Sequence, residues 1–231
     1  METVIHSLPV LLLGAVKTLQ ITTISVFIGC ILGLAAGLAR LSQRRILRLL
    51  ATCYVDFIRG TPLLVQVVIV YFGIPQVLRE IQSYLVNAYG ITPFFKNIPV
   101  FLAAVIACSL NSGAYVAEIF RAGIQSIDKG QMEAARSLGM THGQAMRYVI
   151  LPQAFKRVIP PLGNEFIALL KDTSVLSVIG FEELFRRGQL IVGATYQAFQ
   201  IYLTVAFIYL VMVIAFSRLV DYLERRLKTG D

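Results

Sequence analysis

Long apolar stretches alternate with short charged ones along the whole chain. Residues 18–39 contain no Asp, Glu, Lys or Arg, and four further stretches are largely apolar. About 20 apolar residues in an α-helix are enough to cross the hydrocarbon core of a bilayer. We therefore predict five membrane-spanning helices, at about residues 18–39, 56–78, 97–117, 158–181 and 198–217.

Composition agrees with this pattern. Of the 231 residues, 57% are hydrophobic and only 15% are charged. A soluble domain carries about 25% charged residues, so this chain has too few polar side chains to cover a water-facing surface. We expect one all-α integral membrane domain over residues 1–231, in the cell (inner) membrane.

Lysine and arginine are distributed unevenly between the predicted loops. Fifteen of the 21 lie in residues 40–59, 118–157 and 218–231, and five lie in the remaining loops. Because positive residues favour the cytoplasmic side, the N-terminus is predicted outside and the C-terminus inside. The net charge of +8 is thus explained by topology, and we expect no nucleic-acid partner.

Proline and glycine predict irregular positions in two of the spans. Gly60-Thr61-Pro62 predicts a kinked or broken helix, just after Asp56 and Arg59, which stand one turn apart and are expected to pair. Pro160-Pro161 and Gly163 favour a discontinuous fourth span, as found in transporters.

Catalytic and metal-binding signatures are not found in the sequence. Cys30, Cys53 and Cys108 lie in or beside apolar segments, at spacings that fit no metal site. A phosphate-binding loop requires a Gly-Lys dipeptide, and the chain has none. We expect no catalytic residue, no metal and no cofactor in this chain, and no enzymatic activity.

The stretch 125–152 is polar and helical, between the third and fourth spans. Asp128 can cap a first short helix, and Gly139 can end it in a left-handed conformation. Thr141-His142-Gly143-Gln144 has the pattern of a capping box, which starts a second short helix that Pro152 is expected to break. We call residues 125–152 the elbow and predict that it faces the cytoplasm.

The elbow resembles the EAA loop of ABC importer permeases. Glu133-Ala134-Ala135, Gly139 and Leu151-Pro152 match that pattern at the same spacing, with Val149 where the family has Ile. The chain is also similar to polar amino-acid permeases of the histidine, glutamine and arginine type over about residues 11–222, in stretches such as YVDFIRGTPLLVQ and LGNEFIALLKDTSVLSVIG.

The resemblance implies three kinds of partner. They are a cytoplasmic ABC ATPase dimer that holds Mg-ATP, a second permease subunit that is identical or homologous, and an extracytoplasmic amino-acid-binding protein. In that family the elbow carries a coupling helix that docks on the ATPase. The residues expected to couple to the ATPase are Glu133, Ala134, Ala135, Gly139, Thr141 and His142.

Two acids in the fourth predicted span indicate where a substrate could bind. Glu165 and Asp172 are two helical turns apart, so they share one face at a separation of about 10 Å along the axis. Polar groups in a span usually face a cavity or a neighbouring helix. The candidate substrate-binding residues are Glu165, Asp172, Asn111, Ser112, Tyr115 and Thr22.

Each of these candidates also has a structural interpretation. The acids could belong to an ion network between two subunits, and the polar residues of the third span could join helices. Thr22 could bond its own helix backbone. An acid at position 165 favours a basic substrate such as arginine, lysine or histidine.

The function predicted from these features is ATP-driven import of polar, preferably basic, amino acids. One alternative is the same importer type for glutamine or glutamate. An internal repeat would favour a second alternative, a stand-alone secondary transporter or channel. A third, a membrane-anchored sensor, would need a sizeable soluble domain. Neither feature is present in the sequence.

The predicted topology can be tested with reporter fusions. A reporter fused after Asp231 should be cytoplasmic, and one inserted near Asn87 should be external. The reason is that the loops rich in lysine and arginine are expected on the cytoplasmic side. Reporter activity and protease protection in intact cells measure both positions. An external C-terminus would contradict the five-span arrangement and would remove the elbow from the cytoplasm.

Overall fold

The fold is built from helices alone over the part of the chain that the structure describes. The computed structural model describes residues 2–228; residues 1 and 229–231 of the predicted domain lie outside this range. The α-helices are α1 (Glu2–Arg40), α2 (Arg45–Arg59), α3 (Leu63–Val68), α4 (Ile74–Tyr89), α5 (Val100–Gln125), α6 (Lys129–Ser137), α7 (His142–Ala145), α8 (Leu151–Asp172), α9 (Leu184–Thr195) and α10 (Ala198–Lys228).

Within residues 2–228, four helical stretches are long and apolar enough to cross a membrane. They are Thr3–Arg40, Leu63–Tyr89, Val100–Gln125 and Ala198–Arg226. The fifth predicted span, residues 158–181, corresponds to the polar-containing helix α8 and a 3₁₀ segment after it. The five-span count therefore stays a prediction, whereas the all-α membrane architecture is confirmed.

Helix α1 packs closely along α5 through a row of glycines. Gly29, Gly33 and Gly37 stand four residues apart, so they line one face of α1. A methyl group on Gly33 would lie 2.5 Å from the Val116 side chain, and one on Gly29 would lie 2.9 Å from Ser112 Cβ. Small residues at this spacing let membrane helices approach closely.

Helix α5 is the centre of the bundle. Among the candidate spans, 67% of its most apolar window is buried, against 11% for α10. Its buried residues include Ala103, Ala107, Cys108, Ala114 and Ala117, whose small side chains leave room for neighbours on several sides. Helices α1, α2, α3 and α8 all contact α5.

A break separates α2 from α3, as Gly60-Thr61-Pro62 predicts. The Gln66 amide nitrogen bridges this break by donating to the carbonyl oxygens of Ile58 (2.8 Å) and Thr61 (3.0 Å). Pro62 has no N–H and leaves the preceding turn unsatisfied. Gln66 is buried, so its side chain supplies hydrogen bonds that water cannot reach.

The expectation that Pro152 ends the second elbow helix is wrong. Helix α7 continues through a π-helical turn, Met146–Ile150, directly into α8. Pro152 lies in the first turn of α8, where a π-turn has already displaced the regular hydrogen-bond ladder. The predicted discontinuity at Pro160-Pro161 is also absent, because α8 runs through both prolines to Asp172.

The real interruption lies at the other end of α8. A 3₁₀ segment, Thr173–Ile179, follows Asp172 and ends at Gly180, whose φ is +78°. Such a φ favours glycine. The chain then turns back into the protein as α9, which contacts both α1 and α10.

Glu183 fixes the start of α9. Its fully buried carboxylate accepts hydrogen bonds from the backbone nitrogens of Phe185 (2.8 Å) and Arg186 (2.7 Å) and from the Tyr209 hydroxyl (2.8 Å). Thr18 of α1 accepts a hydrogen bond from the next backbone nitrogen along, that of Leu184. These bonds tie α1, α9 and α10 together and compensate the buried charge.

The α1–α5 contact predicts a large effect for a single methyl group. Gly33→Ala should destabilise the protein by about 1–3 kcal/mol, the usual cost of overpacking, because the added methyl would lie 2.5 Å from the fully buried Val116 side chain and 2.8 Å from the Gly113 carbonyl. Gly193→Ala in α9 is the matched control, since nothing lies within 4 Å of its added methyl. Thermal unfolding in detergent should show a lower apparent Tm for Gly33→Ala alone. Equal shifts would contradict the tight packing described for α1.

Candidate functional site

Within the elbow, α6 and α7 are joined by a turn at residues 138–141. The Asp128 carboxylate caps α6 by accepting from the Gly130 backbone nitrogen at 2.7 Å. At the other end, Gly139 has a φ of +85°, and its N–H donates to the Arg136 carbonyl. The next N–H, of Met140, donates back to the Ala135 carbonyl. This pair of bonds is a Schellman motif, which needs glycine at the left-handed position.

The capping box that the sequence predicts for α7 is present. The Gln144 backbone nitrogen donates to Thr141 Oγ1 at 3.3 Å, and the Thr141 backbone nitrogen donates to Gln144 Oε1 at 2.8 Å. Both ends of the turn therefore have their backbone groups satisfied. The elbow is therefore stabilised by hydrogen bonds within its own residues.

The outer face of the elbow carries most of the predicted coupling residues. Glu133, Ala134, Thr141 and His142 are exposed. Ala135 differs, because it is only 4% exposed and supports the elbow from beneath.

The exposure of Leu138 differs from what helical spacing predicts. The apolar pattern places it on one face with Met132 and Ala135, yet it is 82% exposed. Leu138 is the last residue before the Gly139 turn, where the chain leaves the helical path. It adds a large apolar group to the exposed surface of the elbow. The one signal in the sequence for this exposure is the position of Leu138 next to Gly139.

Glu165 of α8 faces α5 and α1. Its carboxylate lies beside the buried Ser112 hydroxyl, which has no other hydrogen-bond partner among the described residues. Cys30 of α1 is also close enough to the Glu165 carboxylate to interact with it electrostatically. The close α1–α5 contact at Gly29 therefore brings three helices around one half-buried acid.

Asp172 lies at the end of the same helix, where the structure leaves it exposed. It is close enough to Glu165 and to Lys171 to interact electrostatically with both. Lys171 is exposed and lines a cavity of about 610 Å³ together with Ser174 and Tyr209. The two predicted acids thus share one side of the subunit, as their spacing indicates.

Two other predicted residues already have hydrogen-bond partners. Asn111 is buried and donates to Gln66 Oε1 at 3.0 Å, which links α5 to the break after α2. The Thr22 hydroxyl donates to the Thr18 carbonyl of its own helix at 2.8 Å. Both arrangements match the structural interpretations left open for them.

Tyr115 lies nearer the C-terminal end of α5, beneath an arginine. The guanidinium carbon of Arg59 is 5.4 Å from the centre of its ring, a cation–π distance. Tyr115 lies one turn beyond Ser112 on α5 and belongs, with Arg59, to a second group of polar residues.

An ion cluster around Glu118 forms this second group, and the sequence does not reveal it. Glu118 accepts from Arg40 of α1 at 2.9 Å and from Arg121, and Arg59 lies 3.8 Å away. The predicted pairing of Asp56 with Arg59 is wrong, because Asp56 instead lies 3.7 Å from Arg40. Neighbouring helices offer closer partners than the same helix does, and only the packing determines which helices are neighbours.

Comparison with known proteins identifies the class. Residues 5–229 match the family of binding-protein-dependent transport system inner membrane components. The chain belongs to this family and is therefore a multi-pass inner-membrane protein.

Curated relatives cover nearly the whole chain. The glutamine transport system permease protein GlnP of Escherichia coli (strain K12) is 40% identical over 96% of this chain and 94% of its own. The arginine transport system permease protein ArtQ of Bacillus subtilis (strain 168) is 41% identical over 98% and 96%. The L-cystine transport system permease protein TcyB of the same organism is 44% identical over 95% and 87%.

Solved structures agree with the family. An amino acid ABC transporter crystallised with histidines has a chain that is 46% identical, with a TM-score of 0.84 over 96% of both chains. The MetNI methionine ABC transporter, at 20% identity and a TM-score of 0.70, shares the fold. The relatives named here are subunits of amino-acid transport systems.

Proposed function

We propose that this chain is the transmembrane subunit of an ATP-driven importer for polar amino acids, with a preference for basic ones. An extracytoplasmic binding protein delivers the substrate, and a second permease subunit completes the membrane path. A partner ABC ATPase dimer binds and hydrolyses Mg-ATP. The observation that carries the substrate assignment is the position of Glu165, half-buried among three helices and beside the buried Ser112 hydroxyl.

Electrostatics support the preference for a cationic side chain. A carboxylate attracts an ammonium or guanidinium group far more strongly in a low-dielectric site than in water. Ser112 can accept or donate a further hydrogen bond to the same ligand. Asp172, near Glu165 and exposed on the isolated subunit, supplies a second negative group for the α-ammonium.

Glutamine or glutamate remains the second candidate substrate. Both GlnP of Escherichia coli and the probable glutamine ABC transporter permease protein GlnM of Bacillus subtilis resemble this chain at 40% identity. A neutral amide would hydrogen-bond to Glu165 and Ser112 without using the full charge. The two substrate classes therefore differ in how strongly they depend on the carboxylate.

The geometry also supports a route for coupling. Helix α7, the π-turn and α8 form one continuous helical path from His142 to Asp172. At a rise of 1.5 Å per residue, about 35 Å of helix joins His142 to Glu165. A push by the ATPase on the exposed face of the elbow would therefore move the helix that carries the substrate-binding acid. A flexible loop in place of this continuous helix would not transmit the displacement to Glu165.

The coupling proposal predicts a defect from the turn alone. Gly139→Val should reduce transport severely, because a β-branched residue is strained at a φ of +85°. Glu133→Lys should do the same by reversing a charge on the exposed face. Uptake and ATPase activity are measured in proteoliposomes containing the complex with its ATPase. Gly143→Ala is the control, since Gly143 has open space and no positive φ. Normal transport by both variants would rule out the elbow as the docking site.

The substrate proposal predicts a selective effect at Glu165. Glu165→Gln keeps the shape and loses the charge, so half-saturation by arginine or lysine should rise by about tenfold, or about 1.4 kcal/mol. Half-saturation by glutamine should change less. Substrate-stimulated ATPase activity of the reconstituted complex, measured over a panel of amino acids, gives these values. Equal effects on basic and neutral substrates would assign Glu165 a structural role.

A further inference from the structure

A cavity of about 480 Å³ lies between α5 and α8, away from the Glu165 group and towards the elbow. Its volume is large enough for a free amino acid but small for a peptide. Apolar side chains form much of its wall, while charged groups enter it from three helices. The residues that matter here are Arg59, Tyr115, Glu118, Ile119, Arg157 and Pro161.

This cavity lies on the same face of α8 as Glu165. On α8, Glu165, Pro161 and Arg157 follow each other at intervals of one turn, so they lie on one face. On α5, Tyr115 and Ile119 lie one and two turns beyond Ser112. From Glu165 to Arg157 the axis advances about 12 Å, which is about two helical turns.

The charges around this cavity do not balance. Two arginines line it: Arg59, whose guanidinium is 3.8 Å from Glu118, and Arg157, which donates to the Ser126 carbonyl. Two more, Arg40 and Arg121, pair with Glu118 in the cavity wall. The carboxylates nearby are Glu118 and the exposed Asp56. A positive excess therefore remains beside an apolar wall.

This combination is complementary to a carboxylate on a small organic molecule. A guanidinium binds a carboxylate through two parallel hydrogen bonds. Arg59, stacked over Tyr115 and 40% exposed in its side chain, has donors to spare. We propose that this cavity is a second amino-acid subsite, in which Arg59 and Arg157 bind the α-carboxylate of the substrate on its way from Glu165 to the cytoplasm.

The inference rests on the proposed function, yet it concerns a different chemical group. Glu165 would distinguish side chains, whereas Arg59 and Arg157 would recognise the carboxylate common to every α-amino acid. Continuity with the Glu165 face favours a transported amino acid over the phosphate of an anionic phospholipid, which is the other source of an anion with an apolar body.

Binding stoichiometry tests the proposal. The complex of the permease with its ATPase is placed in nanodiscs of phosphatidylcholine without a binding protein, and radiolabelled L-arginine, L-histidine and L-glutamine are titrated by equilibrium dialysis. A two-site isotherm per permease subunit is expected for a transported amino acid. Arg59→Gln combined with Arg157→Gln should weaken one of the two sites by about tenfold or more, for every amino acid that binds.

Agmatine provides the matched ligand control. It is arginine without the α-carboxylate, so it should lose the subsite formed by Arg59 and Arg157. Arg48→Gln is the matched protein control, because Arg48 is an exposed arginine on the same helix as Arg59. This substitution should leave both sites unchanged. Unaltered two-site binding in the Arg59 and Arg157 variant, or equal binding of agmatine at both sites, would overturn the proposal.

Two further measurements distinguish amino-acid binding from a loss of assembly and from lipid binding. If the glutamine substitutions release the ATPase, Arg59→Lys and Arg157→Lys keep the charge but lose the guanidinium fork. They should weaken the site several-fold in an intact complex, and unchanged binding by these lysine variants would overturn the proposal. Nanodiscs containing phosphatidylglycerol identify a lipid site: if the substitutions alter only lipid retention, the amino-acid subsite is rejected.

Loss of selectivity at Glu165 and loss of carboxylate binding at Arg59 are separable outcomes. If Glu165→Gln affects all substrates equally while the arginine variants still remove one site, the side-chain assignment fails and the cytoplasmic-side subsite stands. If the arginine variants change nothing while Glu165→Gln is selective for basic amino acids, the subsite is rejected and the role of Glu165 in distinguishing side chains stands.

Discussion

The close contact between α1 and α5 is the constraint that positions the other helices of this protein. Inside a bilayer the hydrophobic effect contributes little to the association of two helices, because lipid tails are as apolar as the side chains. Close packing and hydrogen bonds must therefore hold the helices together. Gly29 and Gly33 remove the side chains that would hold the helices apart. Because α5 then contacts α1 on one side and α8 on another, Ser112 and Glu165 meet next to the same contact.

Polar groups in the interior are placed where they replace missing backbone hydrogen bonds. Gln66 bridges the break after α2 and accepts from Asn111, and Glu183 caps α9 while accepting from Tyr209. Each buried group costs free energy unless it is hydrogen-bonded, so these networks fix the positions of short helices that have little apolar surface of their own. The buried hydroxyls of Ser25, Ser109 and Ser112 are different, since they take part in no such network among the described residues. Ser112 is the one of these three that lies beside Glu165.

Mechanical continuity is the other property that follows from the packing. The Schellman turn at Gly139 and the capping box at Thr141 define one shape for the elbow, and the π-turn at Met146–Ile150 carries it into α8 without a break. The same helix then passes Arg157 and Glu165 in turn. One continuous helical path thus joins the elbow to both proposed amino-acid subsites.

Features that depend on local chemistry follow from the sequence alone. Apolar segment lengths predict a membrane protein, the residues 60–62 predict a broken helix, and Thr141 with Gln144 predicts a capping box. The spacing of Glu165 and Asp172 also places them on one helix face. These predictions succeed because each depends on residues within a few positions of one another, so no knowledge of the tertiary contacts is needed.

The partners of these residues, by contrast, follow only from the packing of the helices. Asp56 lies beside Arg40 rather than Arg59, Asn111 bonds to Gln66, and Leu138 is exposed at the turn. Packing also carries α8 through Pro152, where local rules predict an end. Ion pairs and buried amides depend on which helices become neighbours, and residues as far apart in sequence as Arg40 and Glu118 meet only when α1 lies against α5.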